Sequence, residues 1–479
     1  MSVHRHGRRP RTAVAALAVA AVLATTACQA DPAPDPGPDT PGADASASPT
    51  ASAPPSDDVE LTFGVFGPDA ETASFERVVE SYNASATATT VTLRTYPNRD
   101  ALLKDLGTPR APDAYLASRQ DLDQIVTEGW NTPLLELLDE RGVDYGDGYS
   151  RDALLSFSVD DDLQCMPYGI SPTVVYYNTD LIDFDSMRER GLPVPPTDLR
   201  GWNLEMFAAA ADEATRPRLG TRGVHVEPTL RGLAPFVYSG AGQLFDDEDE
   251  PTSLALEDDD AREALTQTLA LLRDTQVTLT GRQLRQAGAL EWFERGRLGM
   301  ITGTRALTPE LRDVDGLDFD VMPMPLIDDQ VSVGDMTGLC ISSDNENLAR
   351  TADVLVSLID DEAVAEVAAE GYLVPANLGV ALTDEFLQPL QMPRNANIFN
   401  TSVRDLVVND LLSPDSPLSQ AVRPAVRDLF TVPILDDLEE RTTLIDTVSR
   451  SVLDPDYPPA SELPSELPSE GEAPEGLEQ

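Results

Sequence analysis

His225, in "TRGVHVEPTL", is the one histidine beyond residue 6. A Ser-His-Asp or Cys-His centre would have to be built on it, and no nucleophile motif stands nearby. The chain holds no HExxH, no CxxC, no G-x-x-x-x-G-K-[ST] and no GxGxxG, so zinc hydrolysis, thiol redox chemistry and phosphate-loop chemistry lack their residues. Carboxylates are abundant enough for a glycosidase-type pair. Of the 34 cationic residues, Arg119 in "LASRQ" and Arg305 in "ITGTR" are the two candidate anion receptors. Either can receive an anion, and either can equally pair with neighbouring acid. The residue types therefore favour binding over turnover, with no metal and no cofactor expected.

Composition sharpens this. Of 479 residues, 83 are Asp or Glu against 34 Lys or Arg, a formal charge of −49, and Lys104 is the sole lysine. Such a surface repels nucleic acid; dispersed acid otherwise reads as a solvated exterior. The length predicts two or more domains.

The elements that must position these residues alternate. "VELTFGVFG" is a strand and "ETASFERVVESYNAS" an amphipathic helix with Phe75, Val78, Val79 and Tyr82 on one face. "TTVTLRTYP" and "DAYLAS" are further strands, with "NRDALLKDLG" and "RQDLDQIVTEGW" as helices. This order predicts an α/β fold with a mostly parallel sheet flanked by helices, and a site beyond the carboxyl ends of the strands, at "FGVFGPD" and "LASRQ". Val174 to Tyr177, in "PYGISPTVVYYNTDLI", reads as a strand buried on both faces. Asn178, Thr179 or Asp180 is placed to cap a helix starting near Leu181.

The two ends differ from this middle. Arg5, Arg8, Arg9 and Arg11 precede the apolar run "TAVAALAVAAVLA", the layout of an export signal. "LATTACQAD" resembles a bacterial lipoprotein lipobox, which implies lipidation at Cys28 and anchoring at the outer face of the cell membrane; a secretory signal with a chance cysteine is the alternative. Residues 29–58, rich in Pro, Ala, Ser and Asp, read as a disordered tether, and 454–479 as a disordered acidic tail.

Several linked segments then resemble one family. "DLQCMPYGISPTVVYYNTDLI" is similar to a crossing strand, "GLPVPPTDLRGWNLEMFAAAADEAT" to the loop and Trp-led helix after it, and "YSGAGQLFDDEDEPTSLALEDDDAREAL" to a Gly-rich turn, acidic loop and helix. "FERGRLGMITGT", "FDVMPMPL", "GLCISSDNENLARTADVL" and "EGYLVPA" follow in order. Together they resemble the extracellular solute-binding proteins of ABC importers, in the maltodextrin-binding-like group, over about residues 59–380. The resemblance implies a two-lobed clamp joined by hinge strands, with 59–166 and 342–374 in the N-terminal lobe and 167–341 and 375–453 in the C-terminal lobe. It implies a monomer that takes up a small solute by hinge closure and delivers it to permease subunits without catalysis.

By position in that family, Phe66, Gly67, Ser118, Arg119, Tyr168, Gly240, Thr304, Arg305, Met336 and Tyr372 are expected to line the ligand site. A sugar or oligosaccharide is the solute implied, although Arg305 stands where relatives carry an aromatic, which leaves an anionic or small polar ligand open. Cys165 and Cys340 both fall at the implied lobe crossing, where a disulfide is expected and two buried thiols are the alternative. A surface glycosidase or esterase, and a clamp serving as sensor or scaffold without a permease, are the rival readings.

Overall fold

Along β1 (Val59–Phe66) the apolar residues Leu61, Phe63 and Val65 recur at every second position and all are buried. α1 (Asp69–Ser85) follows and packs Phe75, Val78 and Val79 into the same core, the Phe63 and Phe75 rings meeting edge-on at 5.7 Å. β2 (Thr89–Tyr96) and β3 (Ala114–Ser118) both run parallel to β1. The computed structural model describes residues 58–197, 199–248, 250–431 and 438–459.

The chain continues through β4 (Met166–Pro172), β5 (Val174–Asn178), α2 (Leu204–Ala214), β6 (Arg222–His225), α3 (Leu230–Ser239) and α4 (Asp259–Leu272). Next come β7 (Leu298–Gly303), α5 (Thr308–Arg312), β8 (Phe319–Met322), β9 (Ser332–Ser342), α6 (Asp361–Ala369) and β10 (Val374–Pro375). The last are α7 (Asp384–Leu387), α8 (Asn397–Ser402), β11 (Leu406–Val407), α9 (Pro417–Thr431) and α10 (Leu438–Leu453). The first sheet has the order β10-β4-β9-β3-β1-β2, and β11 also joins β9. The second has the order β8-β5-β7-β6. Between these strands, parallel pairing joins β2-β1-β3, β6-β7 and β9-β11; the crossing strands join antiparallel.

Two buried cores form, and β5 contributes to both, as do its neighbours β7 (Leu298 and Ile301 to the first, Met300 to the second) and β8 (Phe319 and Val321 to the first, Met322 to the second). Val174 and Tyr176 pack into the first core; Val175 and Tyr177, on the other face, pack into the second. A strand with two apolar faces is thereby explained. Asn178 Oδ1 accepts the amides of Asp180 and Leu181 and so closes a turn. The helix expected at Leu181 starts instead at Phe184, because Asp183 caps it through the amides of Asp185 and Ser186. Trp202, just before α2, is fully buried against Phe184 and Phe207. Beyond residue 380, α9 and α10 complete the second core with Leu418, Val422, Val426, Leu429 and Ile445.

Cys165 and Cys340 form a disulfide where β4 and β9 lie side by side, with Cα atoms 4.4 Å apart. The division read from the sequence assigns 167–341 to the second lobe; β4 and β9 nevertheless hydrogen-bond into the first sheet, since Thr337 to Ile341 pair with β3. Among the described residues no helix is long and apolar enough to cross a membrane. Cys28, the signal segment, and nearly all of the tether and tail lie outside the described residues.

Candidate functional site

The carboxyl ends of β1, β2 and β3 carry a polar rim. Phe66 is half-buried at the end of β1, and Gly67 bridges it to α1. A Cβ at Gly67 would stand 2.8 Å from Glu71 Oε2, so a bare backbone lets this carboxylate fold back over the strand end. Burial pushes the Glu71 carboxyl up to about 7. The hydroxyl of half-buried Tyr372 is raised by its own burial and by the carboxylates of Glu370, Glu71, Asp313 and Glu310.

Beside this, Arg99 and Asp121 pair at 3.5 Å. Burial lifts Asp121 to about 6, against the pull of Arg99. Ser118, 5% exposed, ends β3, and Arg119 follows it. Arg119 Nη1 reaches Asp410 at 3.2 Å and Asp123 at 3.5 Å. The first contact links the two cores: Leu122 close to Arg119 belongs to the first, Leu412 close to Asp410 to the second. Asp410 is raised by burial, with Arg119 opposing.

β4 and β9 form the floor between the cores. Asp335 lies opposite Ser171, and Thr337 opposite Gly169 and Ser118. Ser171, Asp335 and Thr337 are half-exposed, whereas their neighbours Ile170, Met336 and Gly338 are buried. One face of these strands is therefore polar and open. Arg231, in the first turn of α3, pairs with Asp335 through both guanidinium nitrogens at 2.9 and 3.0 Å. The second sheet adds its own strand ends: β6 and β7 run parallel, and a cavity of about 250 Å³ sits beyond them, lined by His225, Glu227, Ala289, Ile301, Thr304 and Leu307. His225 Nε2 stands 3.8 Å from Glu227 Oε1, and the neighbouring imidazole lowers the Glu227 carboxyl.

The residues singled out from sequence fall into three groups. Phe66, Gly67 and Tyr372 gather around Glu71; Ser118 and Arg119 meet the open face of the floor; Thr304 lines the cavity beyond β7. Tyr168 does not face this site: it is 2% exposed and packed on Phe75 at 5.5 Å, because it alternates in phase with Met166 and Ile170, which pack into the same first core. Met336 is 2% exposed on the closed face of β9. Gly240 ends α3 and serves packing, since a Cβ there would lie 2.5 Å from Ala264 Cβ of α4. Arg305 is fully buried rather than open to a cleft, its guanidinium 4.1 Å from the centre of the Phe386 ring. Ser171, Arg231, Asp335, Thr337 and Asp410 escaped the sequence reading. The polar-apolar alternation of Gly334-Asp335-Met336-Thr337 was the signal available for two of them. Among the described residues no cluster of His, Cys, Asp and Glu is fit to hold a metal.

A family model described as a bacterial extracellular solute-binding protein matches residues 77–394. Among curated proteins none matches the chain. Solved structures similar in fold include an ABC substrate-binding protein from Listeria monocytogenes in complex with cycloalternan, at TM-score 0.65 and 18% identity, covering 81% of this chain and 98% of that one. The GacH receptor of Streptomyces glaucescens, solved unliganded and with acarbose, matches at TM-score 0.65 and 17% identity over 84% and 99% of the two chains. A cyclic alpha-maltosyl-1,6-maltose binding protein from Arthrobacter globiformis matches at TM-score 0.62 and 17% identity over 83% and 99%.

Proposed function

Because the chain belongs to the bacterial extracellular solute-binding proteins, we propose that it captures a neutral sugar or oligosaccharide between its two lobes and presents the closed complex to an ABC permease. The observation that carries this reading is the half-exposed polar face of β4 and β9, Ser171, Asp335 and Thr337, set between strand ends of both sheets. A solute touching both rims makes all its contacts only when the lobes approach, so binding favours closure. The sugar relatives described above support the substrate class.

Charge favours a sugar over an anion. Arg119 is met by Asp410 and Asp123, Arg231 by Asp335, and Arg99 by Asp121. An anion would have to displace these carboxylates, whereas hydroxyls can exchange donors and acceptors with paired charges at little cost. Aromatic stacking contributes less here than in a tryptophan-lined cleft: Trp202 is buried in the second core, and Trp130 and Trp292 pack against the first. Binding alone performs the function in this reading, and no residue is assigned to turnover. Cys28 carries the lipid that holds the monomeric protein at the outer membrane surface.

A thermal-shift screen of the purified protein against neutral oligosaccharides, monosaccharides, polyols, amino acids and small anions tests the proposal. Ligand at 100 times its dissociation constant adds about 2.7 kcal/mol to stability. A rise with a neutral saccharide is expected. A rise with anions alone would overturn the sugar assignment, and no response to any solute would favour a sensor or scaffold. Incorporation of labelled fatty acid, lost in Cys28→Ala, tests the anchor.

A further inference from the structure

On the side of β4 turned away from the solute face lies a second cavity, of about 360 Å³. Its lining includes Asp152, Ile170, Leu378, Leu382, Val403 and Arg404. Ile170 reaches it because it points the opposite way from its neighbour Ser171, whose side chain belongs to the open polar face. The volume falls within the roughly 300–1,000 Å³ of small-molecule sites.

One part of the wall is apolar and wet. Leu378 is 42% exposed and Leu382 is 69% exposed, at the two ends of the short helix Leu378–Ala381, and neither joins either core. A lone exposed leucine is ordinary; two that border one cavity, with Ile170 and Val403 beside them, form a seat for an apolar group.

The same cavity carries two opposite charges that do not meet. Asp152 stands in the first turn of the helix Arg151–Ser156, and Arg404 lies between α8 and β11. Both are exposed, and among the described residues neither side chain has an ion pair or a hydrogen bond. The solute cleft differs in this respect, for Arg119 and Arg231 are each held there by a carboxylate. A simple amine would satisfy Asp152 alone, and a simple acid Arg404 alone. A small molecule with both charges and a short apolar group satisfies the carboxylate, the guanidinium and the leucine wall together.

We propose that this cavity binds an α-amino acid with a mid-sized apolar side chain, of the leucine type. Its ammonium pairs with Asp152, its carboxylate with Arg404, and its side chain covers Leu378, Leu382 and Val403. The site is separate from the polar face of β4 and β9, so its occupation does not depend on which solute that face takes.

Titration calorimetry of the purified protein with L-leucine tests this. Saturable binding is expected. Leucinamide, which lacks the carboxylate, 4-methylpentanoate, which lacks the ammonium, and glycine, which lacks the side chain, should each bind at least about tenfold more weakly. Arg404→Gln and Asp152→Asn should each weaken leucine about tenfold, and their exposed positions leave the fold intact. Asp335→Asn, on the solute face, should leave leucine binding unchanged. No binding of leucine, isoleucine or phenylalanine overturns the proposal, as does leucinamide binding as tightly as leucine. Leucine binding that survives Arg404→Gln but is lost in Asp335→Asn would place the amino acid on the solute face, which overturns this site and the sugar assignment together. Failure of leucine to bind at all leaves the sugar assignment standing.

Discussion

Glu71 shows how one side chain can set a pH dependence. Its carboxyl is raised from 4.5 to about 7 by burial, and Asp121 is raised to about 6. A carboxyl whose folded value lies above its unfolded value binds protons more tightly when folded. Its stabilisation is complete below the unfolded value and is lost as pH climbs through the folded one. The melting midpoint should therefore fall between about pH 4 and pH 7, and Glu71→Gln should flatten part of that decline and be the more stable form at pH 8. A pH series of melting curves on both proteins checks this; an unchanged slope in the variant would refute it. Asp335 belongs to the same scale. Losing its charge should weaken binding of the solute about tenfold, near 1.4 kcal/mol, with little change in midpoint because the Arg231 pair is half-exposed. Titration calorimetry of Asp335→Asn measures the first and a melting curve the second. Residue types announced the rims, where Ser118 and Arg119 close a strand by an obvious pattern. For β9 they offered only the alternation of Asp335 and Thr337 with Met336, which marks a polar face but not that this face meets the site, and one position of slip would exchange the two faces.

At the scale of elements, glycines mark where strands and helices touch. Gly223 in β6 lies under α2, and a Cβ there would fall 2.3 Å from the Ala211 carbonyl oxygen. Gly223→Ala should cost roughly 1–3 kcal/mol by overpacking, read from a chemical denaturation curve; a neutral result would mean that α2 can move aside. Tyr176 tests the joint between β5 and the connection after β7. Its hydroxyl meets the Thr304 carbonyl at 2.9 Å and Thr308 Oγ1 at 2.8 Å in a fully buried setting. Tyr176→Phe should cost about 1–3 kcal/mol, since it leaves a buried acceptor unmet. The strand-helix alternation that builds these layers was readable locally, because β1, α1, β2 and β3 each carry their own periodicity. The surroundings of Arg305 were not, because Phe386 follows it by 81 residues and local spacing carries no trace of that contact.

For the whole molecule, the Cys165–Cys340 bridge closes a sequence separation of 175 residues across the two crossing strands. Replacing both cysteines by serine should lower stability by about 2–5 kcal/mol, measured by denaturation of the oxidised and double-variant proteins side by side. Equal stability would show that the packing of β4 on β9 suffices alone. β5 has a consequence for the molecule as a thermodynamic body. Its alternate side chains are shared between two interiors, so neither interior can melt without stripping one face of the same five residues. The two halves should then lose structure together, as one calorimetric transition whose van't Hoff and measured enthalpies agree. A fragment carrying the second sheet alone should be insoluble, because it would keep β5 with half its apolar surface bared to water.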